Sequence, residues 1–406
     1  MLVVWGLLRG SLPQLDGELA LPGLSAPVSI QRDALGVLTV EAANEADMAR
    51  ALGYVHAQER FFEMDLMRRS AAGELSELFG AKALPLDKRM RVHRLRAHTQ
   101  QNLGAALGDK RGVVEAYRDG VNAGLAALPV RPWPYLLLRQ QPRPWELEDS
   151  VLTGLAMYAD LQDPTNTREL AMARIRSVVP PALYALLAHD GSSWDAPLFG
   201  APRGDAVLPD AATLDLRKQT GTAPPAPPAP VAADSEVLGS NNFAVAGALT
   251  EDGRAIIADD MHLGLRAPNI WFRARLRYAD PTAPEGKVDV AGFTLPGLPA
   301  VIVGSNTRVA WAFTNSYIDT ADYTPLPANT PLRTVNEAIA VARARPELLL
   351  VRESDWGPIL HEEPDGQLLA LRWVGQQAGA VRLDFADMAK AADLDAAFAV
   401  ADRSGI

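Results

Sequence analysis

Residues 239–247 read Gly239-Ser240-Asn241-Asn242-Phe243-Ala244-Val245-Ala246-Gly247, and the character of the chain changes across them. Upstream, Thr222-Ala223-Pro224-Pro225-Ala226-Pro227-Pro228-Ala229-Pro230 is low-complexity sequence whose prolines favour extended, polyproline-like chain. Downstream, period-two alternation replaces helical spacing. A Gly-Ser pair at such a border is by itself an ordinary entry into a strand, but its chemistry allows more. Gly239 has no side chain to block approach to its carbonyl. A hydroxyl beside it can attack that carbonyl, move the acyl chain from nitrogen to oxygen and leave an ester for water to open. The serine that results carries a free α-amine with a pKa of about 8. That amine is the base a hydroxyl nucleophile needs. Ser240 is therefore the candidate nucleophile and Gly239–Ser240 the candidate cleavage bond.

The 406 residues carry a formal charge of −10. With 48% apolar and 22% charged side chains, the chain can bury a large core. No basic stripe is present to displace counterions, which argues against a nucleic acid partner. There is no cysteine, so disulfides and thiolate metal sites are excluded. The apolar start, Met1-Leu2-Val3-Val4-Trp5-Gly6-Leu7-Leu8, is too short to span a bilayer. It fits the tail of an export signal or a buried strand. Arg89-Met90-Arg91-Val92-His93-Arg94 reads as a solvated helix face.

Working outward, Val28–Ile30 and Val37–Val40 alternate around Asp33-Ala34-Leu35-Gly36 as a hairpin. Asn44 with Asp47 three residues on resembles a helix cap. Met48, Leu52, Val55, Phe62 and Leu66 then follow at helical spacing until Gly73. His56, beside this stripe, reads as a packed, hydrogen-bonded histidine. Further helices are predicted over Val113–Leu128, Glu148–Leu161 and Thr167–Val178, each close to prolines that start or stop them. After Ser240, strands are predicted at Asn242–Leu249, Ala255–Ala258, Ile270–Tyr278, Val301–Val303, Val309–Phe313, Leu348–Arg352 and Leu368–Trp373. In the third of these, Phe272, Ala274, Leu276 and Tyr278 alternate with arginines, giving one apolar and one basic face. Helices followed by strands predict an α+β fold. Residues 1–200 form a mainly helical region, 201–239 a proline-rich linker or excised spacer, and 240–406 a strand-rich region beginning at the nucleophile.

The chain has no G-x-S-x-G elbow, Walker loop, G-x-G-x-x-G or H-E-x-x-H motif. His361-Glu362-Glu363 precedes Pro364-Asp365 and reads as a polar turn. What the sequence does contain is an ordered set of blocks. Ser240-Asn241-Asn242-Phe243-Ala244-Val245 is followed by Ile257-Ala258-Asp259-Asp260-Met261-His262-Leu263-Gly264, Leu295-Pro296-Gly297-Leu298-Pro299, Gly304-Ser305-Asn306 and Val309-Ala310-Trp311. Before them stand Ser11-Leu12-Pro13, Arg32-Asp33-Ala34-Leu35-Gly36-Val37, Ala57-Gln58-Glu59-Arg60 and Arg68-Arg69. Over nearly its whole length the sequence resembles the penicillin acylase family of N-terminal nucleophile hydrolases.

The resemblance implies a precursor cut into a helical small subunit and a large subunit that begins with Ser240, folded as a four-layer αββα sandwich. It implies amide hydrolysis of an N-acylated small molecule (a penicillin, a cephalosporin or an N-acyl-homoserine lactone) through an acyl-enzyme. His262 would help position the terminal serine and leans toward the latter two substrates. The backbone N–H of Asn315 would serve the oxyanion hole. The partnering asparagine side chain would lie beyond Ile406, so the alternative is a catalytically incomplete fragment, unprocessed or binding acyl compounds without turnover. A structural calcium ion would be held by Glu169, Asp319, the Ala321 carbonyl and Asp322, with at least one further ligand beyond Ile406. Phe243, Trp271, Phe293 and Trp311 are available for an acyl pocket. The setting would be periplasmic or extracellular, with no stable membrane span within these residues.

Overall fold

The computed structural model describes residues 1–197, 199–215, 217, 239–316 and 318–405. The expected spacer around Thr222–Pro230 lies outside the described residues. The chain divides into two compact units, Met1–Pro164 with Leu238–Ile406, and Thr165–Val237.

The first unit is built on the helix Glu45–Ala72. Asn44 caps its start by accepting from the Asp47 N–H, as the sequence predicts. Gly73, at φ 64°, ends it by turning the chain left-handed while its N–H caps the Arg69 and Ser70 carbonyls. The helix Arg111–Ala127 packs against it more closely than ordinary side chains allow. A Cβ on Gly53 would lie 2.3 Å from the Tyr117 carbonyl oxygen, and one on Gly124 would lie 2.3 Å from that of Tyr54. A third helix, Leu147–Leu161, completes the layer. Shorter helices include Leu84–Arg91, Leu95–Gln101 and Leu394–Arg403.

Three sheets are present among the described residues. The first has six strands, in the order Ser29–Arg32, Leu38–Ala42, Phe272–Ala279, Lys287–Thr294, Val301–Ser305 and Ala310–Trp311. Its one parallel pairing sets Leu38 beside Ala274 and Val40 beside Leu276, so it joins the N-terminal hairpin to chain that follows Ser240. In Phe272–Ala279 the apolar side chains are buried and the arginines face outward. The buried face packs on the Glu45–Ala72 helix through Leu38, Val40, Leu52, Val55, Phe272 and Leu276. The second sheet has five antiparallel strands, Arg333–Ile339, Glu347–Ser354, Gly357–Glu362, Leu368–Trp373 and Ala321–Pro325. The third is the hairpin Gly239–Val245 with Ile256–His262. The architecture is α+β.

At the centre of the first unit lies a charged cluster. Arg68 Nε donates to Asp65 Oδ1 at 2.8 Å and its Nη1 to Asp149 Oδ2 at 2.5 Å, with all three residues essentially inaccessible. Arg69 Nε and the Tyr135 hydroxyl also donate to Asp65. Arg68 lies 5.0 Å from the Trp145 ring centroid. His56 is equally buried: Nδ1 is 2.7 Å from the Tyr117 hydroxyl and Nε2 is 3.1 Å from Thr294 Oγ1. Burial pushes its imidazole down to about 3, so it is the packed, neutral histidine expected.

Three expectations change. Residues 2–10 form a helix, Leu2–Gly10, whose apolar side chains are exposed. The buried-strand reading of Met1–Leu8 is therefore wrong: the segment is helical, and among the described residues no strand pairs with it. Arg89–Arg94 is no solvated face: His93 is buried, Arg91 donates to the Ala72 and Gly73 carbonyls, and Arg94 pairs with Glu337 and Glu353. Short-range spacing could not show that strands distant in sequence lay across it. His361 and Glu362 end the strand Gly357–Glu362, and the turn begins after them.

The second unit contains the helices Thr167–Val178 and Pro181–Leu187, neither with a buried side chain. Glu169 is half-buried there and accepts a hydrogen bond from Asn166 Nδ2.

Candidate active site

Ser240 is the second residue of the hairpin Gly239–Val245/Ile256–His262, paired with Met261. Asn241 faces Asp260, Asn242 faces Asp259, and Gly239 faces His262. Antiparallel pairing therefore brings the candidate cleavage bond beside the histidine, although 21 residues separate Asn241 from His262 in sequence. The His262 ring is about half exposed, with Nε2 2.9 Å from Asp260 Oδ2 and 3.4 Å from Asn241 Nδ2. Asp260 on its own strand holds the ring by accepting from Nε2, which leaves that nitrogen no lone pair for the Asn241 amide beside it.

A second segment reaches the serine from the end of the six-stranded sheet. The hairpin between Val301–Ser305 and Ala310–Trp311 is pinned by Asn306, whose Oδ1 accepts from the Val309 N–H at 2.9 Å. Its Nδ2 donates to the Ala391 carbonyl at 2.8 Å. The chain leaving Trp311 then passes the nucleophile hairpin. The Phe313 N–H donates to Asp259 Oδ2 at 3.4 Å, and the Asn315 N–H donates to Ser240 Oγ at 3.5 Å. A backbone donor is thus aimed at the hydroxyl of the candidate nucleophile. Burial holds the Asp259 carboxyl above the usual range; the Phe313 N–H opposes that shift and the neighbouring Asp260 adds to it. The Asn315 side chain is itself anchored, its Oδ1 accepting from Gln162 Nε2 at 2.8 Å and its Nδ2 donating to the Leu161 carbonyl at 3.1 Å.

Ser240 and Asn315 are therefore brought together, whereas His262 shares the opposite face of the hairpin with Asn241 and Asp260. Asn241, Asp260 and Gln162 also border this site, and no motif marks them in the sequence. Register could have pointed to the first two, since a hairpin with Gly239 opposite His262 places Asn241 opposite Asp260. Nothing local marks Gln162. The four aromatics do not gather into one pocket wall. Trp311 is buried in the core that includes Leu38 and Phe272, Trp271 packs with a separate cluster around Trp373, and Phe243 and Phe293 are exposed.

Asp319 and Asp322 are exposed and Ala321, between them, is buried. Among the described residues no three His, Cys, Asp or Glu side chains gather closely enough to hold a metal ion. Two carboxylates and a carbonyl from one segment supply part of the six to eight oxygens that calcium takes.

A profile of the penicillin amidase family matches residues 27–406. The chain belongs to this family. It is 34% identical over 328 residues to the penicillin acylase 2 proenzyme of Pseudomonas sp. (strain SE83), covering 78% of this chain and 39% of that protein. It is 28% identical over 422 residues to the acyl-homoserine lactone acylase QuiP of Pseudomonas aeruginosa, covering 96% of this chain and 48% of that protein. A solved structure, thermostable penicillin G acylase from Alcaligenes faecalis, aligns with 43% of this chain and 98% of that chain at 28% identity and a TM-score of 0.37. The chain spans less than half the length of these two curated relatives.

Proposed function

We propose that the protein is a self-processing acylase that hydrolyses the amide bond of an N-acylated small molecule. The observation that carries this reading is the Asn315 N–H directed at Ser240 Oγ across 3.5 Å. In the first step Ser240 Oγ attacks the Gly239 carbonyl, the C–N bond gives way to an ester, and water opens that ester. The freed amine of Ser240 then takes the hydroxyl proton as Oγ attacks a substrate acyl carbon. The Asn315 N–H stabilises the developing oxyanion, a contribution of about 3 kcal/mol for a donor of this kind. The amine product leaves with the proton, and water releases the acid from the acyl-enzyme. His262, tied to Asp260 and paired with Gly239 across the hairpin, steadies the strand end that becomes the new terminus.

The relatives are named for action on penicillin and on acyl-homoserine lactones. We carry both to this chain as candidate substrates, with cephalosporins beside them. The four-layer αββα arrangement and a periplasmic or extracellular setting belong to the same proposal, the exposed apolar helix Leu2–Gly10 supporting the latter. So does a structural calcium ion on Asp319, the Ala321 carbonyl and Asp322. Adding a calcium chelator should then lower the melting temperature, with recovery on adding calcium but not magnesium. No shift with the chelator refutes the ion.

Hydrolysis of 4-nitroanilides bearing short, long and aromatic acyl groups tests the enzymatic reading. Turnover by the wild-type chain, abolished in Ser240→Ala at an unchanged melting temperature, supports it. Turnover that survives Ser240→Ala, or is absent for every acyl group, refutes it.

A further inference from the structure

The Asn315 N–H can stabilise an oxyanion only if its direction is fixed before charge develops, and the way this is achieved involves residues on the other side of the cleavage bond. The Asn315 side chain does not face the nucleophile. It turns to the end of the helix Leu147–Leu161, where it accepts from Gln162 Nε2 at 2.8 Å and donates to the Leu161 carbonyl at 3.1 Å. An amide gripped at both its oxygen and its nitrogen restrains the Cα that carries it and, through that Cα, the backbone N–H bonded to it. The helix end is itself fixed. The Gln162 N–H donates to the Tyr158 carbonyl at 3.0 Å, and Leu152 and Leu155 are buried. Asp149, in the first turn, is locked by Arg68 and Arg96. Preorganised donors of this kind supply stabilisation because nothing reorganises as charge appears.

We infer that Gln162 is a positioning residue that aims the Asn315 N–H at the reacting centre, acting from the chain that becomes the small subunit. This inference rests on the oxyanion role proposed above for Asn315. Gln162 touches neither Ser240 nor the substrate in this scheme. It completes a contact between two segments that processing separates, so the separated pieces must stay assembled for the donor to remain aligned.

Three variants of the full chain test it on a 4-nitroanilide substrate, each with its melting temperature. Gln162→Ala removes the donor to Asn315. Gln162→Glu keeps its shape but sets a carboxylate against the Asn315 oxygen. Asn315→Ala keeps the backbone N–H and removes the anchor. All three should lower kcat between about 10- and 100-fold, the cost of misplacing a catalytic group by about an ångström. KM and the melting temperature should stay near wild-type values. Gln162→Ala combined with Asn315→Ala should be no worse than Asn315→Ala alone, because Asn315→Ala already removes the contact that Gln162→Ala breaks. Asn315→Pro, which deletes the N–H itself, checks the underlying role. If a folded Asn315→Pro keeps wild-type kcat, or the wild-type chain has no turnover, the oxyanion reading fails and the inference falls with it. If the Gln162 variants keep wild-type kcat, or raise KM alone, positioning by Gln162 is refuted whether or not Asn315→Pro folds.

Discussion

Replacing Gly120 with alanine separates two arguments of opposite sign. Gly120 sits within the helix Arg111–Ala127, where alanine is favoured over glycine by about 1 kcal/mol on helix propensity alone. The structure places a Cβ at that position 2.0 Å from the Arg50 carbonyl oxygen and 2.8 Å from its carbon, well inside ordinary contact at 3.4 Å or more. The opposing atoms are backbone of the Glu45–Ala72 helix, so no side chain can rotate away; the helices must separate. Overpacking a tight core costs about 1–3 kcal/mol, and a backbone clash this short belongs at or above the upper end. After the propensity gain, the net loss should be about 2 kcal/mol, or roughly 3 °C in melting temperature for a unit of this size. Gly112, on the same helix, supplies the control, since a Cβ there meets nothing within 4 Å. Gly112→Ala should hold or raise the melting temperature. Urea and thermal denaturation of both variants beside wild type give the answer. A Gly120→Ala protein as stable as wild type refutes the close helix seam and, with it, the placement of Tyr117 against His56.

Other outcomes follow from the buried polar groups. Arg68→Met strips Asp149 and Asp65 of one cation and leaves the Pro144 and Arg143 carbonyls without its donors. Breaking a buried pair costs about 3–5 kcal/mol, with Arg96 and Arg69 holding the loss near the lower figure; a urea midpoint unchanged from wild type contradicts the cluster. Burial lowers His56 to about 3 and His93 to about 4, below the ordinary value of 6.5. The unfolded chain thus binds more protons in that window, so their contribution is complete above about pH 6.5 and is lost as pH falls toward those values. Each histidine adds about 1.4 kcal/mol per pH unit to the slope. Stability curves from pH 7 to 4 should be shallower for His56→Gln than for wild type, and identical slopes sink this assignment.

The sequence was most informative where a pattern is local. Asn44 and Gly73 bound the long helix because capping needs residues only a few positions apart. The alternation from Phe272 to Tyr278 gave a half-buried strand because one face meets a helix and the other meets solvent. Failures came from partners distant in the chain. Arg91 and Arg94 look solvated until the strand carrying Glu337 is laid beside them, and residues 1–8 fit a strand by composition although no strand pairs with them among the described residues. The candidate site divides in the same way. Ser240 stood out through its glycine neighbour and its border position, whereas His262 and Asn315 gained meaning from a resemblance that the family match supports. Gln162 was invisible, because a glutamine after a helix has many uses and only the Asn315 contact selects one.

The proposed chemistry requires the chain to cut its own Gly239–Ser240 bond. Intact-mass analysis of the purified protein, beside a Ser240→Ala variant prepared in the same way, measures this directly. Self-processing yields two polypeptides for the wild type, the second beginning at Ser240, and one uncut chain for the variant. A single uncut chain in both preparations, or equal cutting in both, contradicts it.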